Sequence, residues 1–279
     1  MVATSSDTRP ARAGRARMSP RRRAQLSRRV QYAALALLAV IGLVATDWAR
    51  IGGTFFNADS LAAILPALPR AAFNTIVYTL AAFSVGLALG LVLALMRLSS
   101  VRAYRVIATG YIEFFRGIPA LLVVFAFGYA IPAAFEVRFD SITLQIGLAL
   151  GVVSAAYIAE TLRAGIQAVP KGQVEAARSL GMSSGATLVH VVIPQAFRIV
   201  LPPLTNEIVL LLKDTSLVFG FGLAITDYEL TKVGRNALSD ADGGMTSLLA
   251  VGVVYLLITI PLSGLTRWLE KTTGYKGHV

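Results

Sequence analysis

The ionisable residues inside or at the ends of long apolar stretches of the sequence include Glu160, Glu207, Lys213 and Asp214. Charged side chains are costly at membrane depth and generally mark a solute or ion pathway. On a helix, Glu207 and Asp214 are two turns apart on nearly the same face, whereas Lys213 points about 100° away from Asp214. This stripe could line an aqueous cavity for a zwitterion, with carboxylates facing an ammonium group and Lys213 facing a carboxylate. Interhelical ion pairs that hold a gate or a subunit seam remain an equal alternative, and Glu160 fits either role.

The residue types also exclude other chemistry. The 279-residue chain has no Cys, which excludes disulfides, Cys-ligated metals and thiol nucleophiles. Its two histidines, His190 and His278, are too far apart in sequence to suggest a metal or acid–base cluster. There is no GxxxxGK[ST] phosphate loop. We therefore expect neither an enzyme active site nor a bound cofactor in this chain. Glu113 and Arg116, spaced i, i+3 at the entry to the third predicted span, could pair on one helix face and are interpreted as structural or snorkelling residues.

The apolar stretches have the lengths of membrane-spanning helices. The chain is 56% hydrophobic and only 15% charged, whereas a soluble domain has about 45–50% and about 25%. About 20 apolar residues cross the hydrocarbon core as a helix, and no stretch alternates as a barrel strand would. We predict an all-α polytopic membrane protein with spans at about residues 31–46, 72–96, 117–134, 142–159, 199–225 and 246–266.

The net charge of +11 is distributed unevenly between the two sides of these spans. Basic residues are concentrated before the first span and after the second, fourth and sixth, while the other connections are mildly acidic and include Glu229. By the positive-inside rule, both termini are predicted to be cytoplasmic, which requires an even number of spans.

The arginine-rich residues 1–30 are interpreted as a disordered tail attracted to anionic lipid headgroups, rather than as a nucleic-acid-binding arm. Residues 31–48 are predicted to form an N-terminal membrane helix, and residues 271–279 a cytoplasmic tail. The alternative for the first 46 residues is a cleaved signal peptide. It is disfavoured because the charged region is too long and no A-x-A site follows Ala45.

The long connection between spans four and five, residues 163–198, is patterned. Pro170 can begin a short helix that Gly181 ends, with Val174, Ala177 and Leu180 on one side. A serine at 183 or 184 can cap a second short helix, which Pro194 would stop. Two short helices joined at a glycine would form a compact cytoplasmic knob. An amphipathic elbow at the membrane surface fits the spacing equally well.

Part of this segment resembles the EAA signature of the membrane subunits of ATP-binding-cassette (ABC) importers. That signature is Glu-Ala-Ala, three residues, Gly, nine residues, and then Ile, any residue and Leu-Pro. The matching residues are Glu175, Ala176, Ala177, Gly181 and Pro194. Val191 and Ile193 stand where Ile and Leu are usual. The flanking sequences, over about residues 70–270, are similar to permeases of polar amino-acid importers, as in FRGIPALL (115–122), AAYIAETLRAGIQAVPKGQ (155–173), PQAFRIVLPPLTNE (194–207) and LLKDTSLV (211–218).

The resemblance implies a type I importer fold, with a five-helix permease core at 70–270 in addition to the N-terminal helix. It also implies that the EAA segment is a coupling helix seated in a cleft of a cytoplasmic ATPase. Ala176 and Ala177 would permit close approach by that subunit, and Gly181 would set the angle between the two short helices. The rim charges would come from Glu175 and Arg178.

The implied partners are two ATPase subunits that bind ATP and Mg, a second permease chain, and an extracytoplasmic solute-binding protein. The second permease could be identical or merely related. The implied location is the bacterial inner membrane, and the implied substrate is a polar amino acid that the sequence does not identify. The alternative function is an ion- or proton-coupled secondary transporter, in which Glu160 or Asp214 relays protons and residues 163–198 are a plain elbow.

Overall fold

The computed structural model describes residues 20–239 and 245–273, which form helices and turns without a strand among them. The helices are α1 Pro20–Ala45, α2 Trp48–Phe55, α3 Ala58–Ile64, α4 Leu68–Leu98, α5 Arg102–Gly117, α6 Ala120–Phe135, α7 Ile142–Gln167, α8 Lys171–Ser179, α9 Ser184–Gly220, α10 Leu230–Leu238 and α11 Thr246–Thr273. The chain falls into two compact units that divide between residues 51 and 52.

The long helices account for the predicted membrane spans. Among the described residues, α1, α4, α7, α9 and α11 are long and apolar enough to cross a membrane. The pair α5 and α6, bent by 101°, makes a sixth span when it is counted as one. The predicted all-α architecture of about six spans is therefore confirmed.

Helix α1 begins at Pro20, so the prediction of a disordered tail over residues 1–30 is wrong for residues 20–30. Proline is favoured at the first helical position, and the arginines, alanine, glutamine and leucine that follow are good helix formers. The remainder of the predicted tail, and the chain after Thr273, lie outside the described residues.

Two other predicted spans have different boundaries. The span predicted at 117–134 is bent at its start because Ile118 is extended, with φ −97° and ψ 140°, before Pro119. Proline disfavours helical geometry in the preceding residue, so α5 ends there and α6 begins afterwards in a new direction. The span predicted at 199–225 ends at Gly220, after a final turn of 3₁₀-helix that begins at Thr215.

The core of the second unit is the contact between α4 and α7, where small residues let the two backbones approach closely. A Cβ atom added to Gly151 would lie 2.6 Å from Val85 Cγ1, and one added to Gly86 would overlap Ser154 Oγ. Small residues at such contacts are typical of membrane helices, which associate largely through close packing. The middle of α7 also packs against α9, where Ile158 contacts Val200 and Leu204.

Glu229 anchors the connection before α10. Its carboxylate is fully buried and accepts hydrogen bonds from the backbone N–H groups of Thr231 (2.5 Å) and Lys232 (2.6 Å), and from the hydroxyl of Tyr255 on α11 (3.3 Å). The sequence places Glu229 among the acidic residues of the outer connections. The structure adds that Glu229 caps α10 and ties that helix to α11.

The environment of Glu229 predicts a pH-dependent stability. Burial raises the pKa of Glu229 from 4.5 to about 7, despite hydrogen bonds that favour the ionised form. Because the pKa of Glu229 is higher in the folded protein than in the unfolded one, protonation of its carboxyl group stabilises the fold. This stabilisation is fully present below the pKa of the unfolded state and is lost as the pH rises through about 7. The contribution is on the order of 3 kcal/mol. Thermal unfolding in detergent should show a wild-type melting temperature that falls over this range, and E229Q should lose most of that slope. An equal slope in both proteins would contradict the assignment.

Candidate functional site

Glu207 and Asp214 line one cavity between α7, α9 and the bend that joins α5 to α6. Its volume is about 280 Å³, near the lower end of the range for small-molecule pockets. The lining residues are Ile118, Ala120, Leu150, Val153, Ser154, Tyr157, Glu207, Leu210, Leu211 and Asp214. The cavity is therefore mostly apolar, with two carboxyl groups, one hydroxyl and one phenol as its polar side chains.

The helical period explains why both carboxyl groups reach this cavity. Seven residues are nearly two full turns, so Glu207 and Asp214 lie above one another on α9. The same face of the helix contributes Leu210 and Leu211 to the lining. The structure thus brings these two candidate residues together, while their contact with a substrate stays a prediction.

Lys213 is not part of this cavity. Its side chain is exposed on another side of α9, because adjacent helical residues point about 100° apart. Asn206, two turns earlier on that side, is exposed as well. Within one chain Lys213 therefore does not share the cavity of Glu207 and Asp214, and its contact with the carboxylate of a substrate stays a prediction.

Glu160 lies outside the cavity lining, in a cluster of arginines. Its carboxylate Oε2 is 2.6 Å from Arg163 Nη2, and its Oε1 is 3.6 Å from Arg97 Nη2. Arg97 also donates a hydrogen bond to Thr109 of α5 at 2.9 Å. Glu160 therefore joins the ends of α4 and α7, and Arg97 extends the contact to the middle of α5. This favours the ion-pair interpretation of Glu160 over a direct role in the pathway.

We expect the Glu160–Arg163 pair to show energetic coupling. E160Q and R163Q should each lower the melting temperature of the purified permease, and the double variant should be hardly less stable than either single one. The expected coupling energy is about 1 kcal/mol, because the two side chains are in contact and only partly exposed. R102Q changes an exposed position on α5. Its effect on the melting temperature should simply add to that of E160Q. Additive effects of E160Q and R163Q would contradict the interpretation.

The segment between α7 and α9 folds as a short helix ended by a glycine. Helix α8 follows Pro170, and Gly181 adopts a φ of +85°, in the left-handed region that glycine accepts without strain. The backbone N–H of Gly181 donates to the carbonyl of Arg178 (3.0 Å), and the N–H of Met182 donates to that of Ala177 (3.2 Å). These two bonds form a Schellman cap, so the predicted helix and its end at Gly181 are confirmed.

The second helix begins as predicted but does not stop at Pro194. Ser183 Oγ accepts a hydrogen bond from the backbone N–H of Ala186 at 3.2 Å, and the helix continues to Gly220. A wide π turn precedes the proline, in which the N–H of Ile193 donates to the carbonyl of Leu188. This local change of hydrogen bonding accommodates a residue that lacks an N–H group. Pro194 therefore lies in the first turn after the π segment.

The surface of α8 differs from the prediction in two residues. Ala177 is buried, so it does not face a partner as expected, whereas Leu180 is 86% exposed. The backbone leaves helical geometry at Leu180, with φ −80° and ψ 8°, so its side chain does not share the side of Val174 and Ala177. Three further residues on this surface are exposed: Glu175, Ala176 and Arg178. We call these three residues and Leu180 the coupling surface. The exposure of Leu180 could have been predicted from the sequence, because it is an apolar residue directly before the glycine that ends the helix.

Comparisons with known proteins agree with this architecture. Residues 86–275 match the family described as binding-protein-dependent transport system inner membrane component. A probable glutamine ABC transporter permease of Bacillus subtilis (strain 168) is 37% identical over 203 residues, covering 71% of this chain and 89% of the relative. An L-cystine transport system permease of the same strain is 34% identical, covering 74% and 86%.

A solved structure shares both the sequence and the fold. The crystal structure of an amino acid ABC transporter with histidines contains a chain that is 32% identical to this one, with a TM-score of 0.69. The match covers 76% of this chain and 97% of that one. This protein therefore belongs to the family of binding-protein-dependent transport system inner membrane components, and within it to the permease subunits of amino-acid ABC importers.

Proposed function

We propose that the cavity lined by Glu207 and Asp214 is the part of the import pathway through which an amino acid crosses the membrane. The observation that carries this proposal is the position of two carboxylates in one cavity, beside the bend between α5 and α6. Binding sites at membrane depth commonly form where spanning helices are broken. The ammonium group of an amino acid would replace part of the solvation that the carboxylates lose there.

The energy for transport comes from partner ATPase subunits that bind ATP and Mg. The coupling surface of Glu175, Ala176, Arg178 and Leu180 is the proposed contact. It is firmly joined to the spans, because Val169, Val192 and Ala196 form a buried cluster against which Val174 of α8 also packs. A push on α8 would therefore be transmitted to both α7 and α9.

A second permease chain, identical or related, completes the pathway. The side of α9 that carries Asn206 and Lys213 is exposed in one chain, although polar residues at membrane depth normally face protein or water. We assign this side to the contact with the second permease or to the water-filled pathway between them. An extracytoplasmic binding protein would deliver the amino acid from outside.

The complex lies in the bacterial inner membrane, with both termini of this chain in the cytoplasm and the coupling surface on that same side. The chain itself performs no covalent chemistry. ATP binding and hydrolysis on the partner would bias inward-facing and outward-facing states, because the ATPase has a different affinity for each. Neither the fold nor the similar proteins favour an ion-coupled transporter.

Single cysteines can test this docking directly, because the natural chain contains none. Ala176→Cys and Leu180→Cys should each cross-link to the ATPase subunit with a short maleimide–amine reagent in the intact complex. Ala177→Cys, on the buried side of the same helix, is the matched control and should give little product. Cross-linking that is absent at both exposed positions in an intact complex, or equal at all three, would refute this assignment of the coupling surface.

A further inference from the structure

A second cavity lies where the end of α4, the end of α7 and the beginning of α9 meet. Its volume is about 540 Å³, against about 280 Å³ for the cavity lined by Glu207 and Asp214, and the two cavities share no lining residue. Ten of its eleven lining residues are apolar, and the exception is Ser99. This lining favours a hydrocarbon occupant over a polar amino acid.

The cavity has the length expected for a lipid acyl chain. Its lining on α4 extends from Leu91 to Ser99, which is about 12 Å along a helix. One leaflet of a bilayer contributes about 15 Å of hydrocarbon. The lining residues Leu95 and Phe197 are 54% and 58% exposed. The cavity is therefore open to the outside of the chain, on helices that are long and apolar enough to span a membrane.

The chain around this cavity is positively charged. Residues 91–105 and 188–200 supply nine of the eleven lining residues, and they contain four arginines but neither Asp nor Glu. Arg97 is engaged by Glu160. The other three have no carboxylate partner within the described part of the chain: Arg102, Arg105 and Arg198. An anionic occupant is therefore favoured, whereas a second copy of this chain would bring the same positive charge to the site.

Arg105 is the basic residue that the structure places beside the polar end of the cavity. Its Nη1 donates hydrogen bonds to the carbonyl oxygens of Ser99 and Ser100, both at 3.0 Å, and Ser99 lines the cavity. The Nε and Nη2 groups of Arg105 have no acceptor among the residues that the structure describes. A guanidinium binds phosphate through two parallel N–H···O bonds. Arg105 can therefore bind a phosphate while it stays attached to the end of α4.

We propose that this cavity binds an anionic phospholipid, with one acyl chain between α4, α7 and α9 and the phosphate at Arg105. Basic pockets between membrane helices are typical sites for anionic lipid headgroups. The bound lipid contacts the same ends of α7 and α9 to which α8 is joined. This inference does not rest on the role of the cavity lined by Glu207 and Asp214.

Lipid binding to the purified permease–ATPase complex tests this proposal. Native mass spectrometry gives the dissociation constants of phosphatidylglycerol and phosphatidylcholine with identical acyl chains. Wild type should bind phosphatidylglycerol at least about fivefold more tightly, the factor expected for one arginine near an anionic headgroup. R105Q should remove most of this preference and leave the affinity for phosphatidylcholine unchanged. R138Q, which replaces an exposed arginine outside these segments, is the control and should keep the preference.

Filling the cavity provides an independent test. Leu95→Trp places a larger side chain in the lining and should weaken the binding of both lipids by at least about fivefold, because less acyl chain is buried. Val92→Trp is the matched control. Val92 is similarly exposed on the same helix, at 51%, but does not line the cavity, so this variant should bind both lipids as wild type does.

Several results would overturn the proposal. Equal affinity of wild type for the two lipids, or a preference that survives in R105Q, would show that Arg105 does not bind the headgroup. If R105Q lowers the melting temperature but keeps the lipid preference, Arg105 only caps the end of α4. If Leu95→Trp releases the ATPase or the second permease while lipid binding is retained, the cavity is a contact between subunits.

Discussion

Replacing Asp214 with asparagine is expected to lower ATP-driven amino-acid uptake by at least about tenfold, with the permease still folded and assembled. Asp214 lines the cavity, and removing its charge deletes an attraction for an ammonium group in a setting where water cannot compensate fully. The change from a carboxylate to an amide preserves shape, so packing around α9 should survive. Uptake is measured in proteoliposomes, and assembly by co-purification with the ATPase and by melting temperature.

Two variants sharpen this prediction. Glu207→Gln should act in the same direction, because Glu207 lines the same cavity. Asp140→Asn is the control, since Asp140 is an exposed acid outside the cavity, and it should leave uptake unchanged. If D214N instead destroys the assembled complex, without a transport defect in the protein that does assemble, Asp214 belongs to an ion pair that holds the helices together.

Replacing Gly181 with aspartate is expected to leave the protein inserted in the membrane but to uncouple it from its ATPase. A Cβ at this position would meet nothing within 4 Å in the chain itself, so the permease has room for the new side chain. The φ of +85° costs a non-glycine residue roughly 1–2 kcal/mol. That strain would reorient the end of α8, and the new charge would stand next to the exposed Leu180. Uptake should fall by at least about tenfold. The amount of ATPase that is recovered with the permease in a pull-down should fall as well.

Gly185→Asp provides the matched comparison for this variant. Gly185 also lies on the cytoplasmic segment with open space around its Cβ position, but it is in the first turn of α9, where an acidic residue is tolerated. We expect it to retain most of the coupling. Normal uptake and normal ATPase recovery in Gly181→Asp would show that the geometry of this bend does not matter for docking.

Features that depend on local sequence were predictable. The length of apolar stretches located the spans, and the 3.6-residue period placed Glu207 and Asp214 on one face of a helix. Gly181 was predicted to end α8 because the left-handed conformation of that position favours glycine. In each of these cases the signal is contained within one turn or one helix.

Features that depend on tertiary neighbours were not predictable. A hydropathy run reports how apolar a segment is and not its direction, so it does not register the bend between Ile118 and Pro119. The burial of Glu229 depends on Tyr255, which is distant in sequence. The contact of Arg116 with Tyr157 was not visible in the sequence, because it joins α5 to α7, which are distant along the chain.

The most direct test of the import function is reconstituted uptake with each energy source supplied alone. Proteoliposomes containing this permease, its second permease chain and the ATPase are loaded with ATP and Mg, and are given the binding protein and labelled amino acid outside. We predict uptake that requires ATP, the ATPase and the binding protein together, and that does not respond to a proton gradient. Uptake driven by a proton gradient through the permease chains alone would contradict the account.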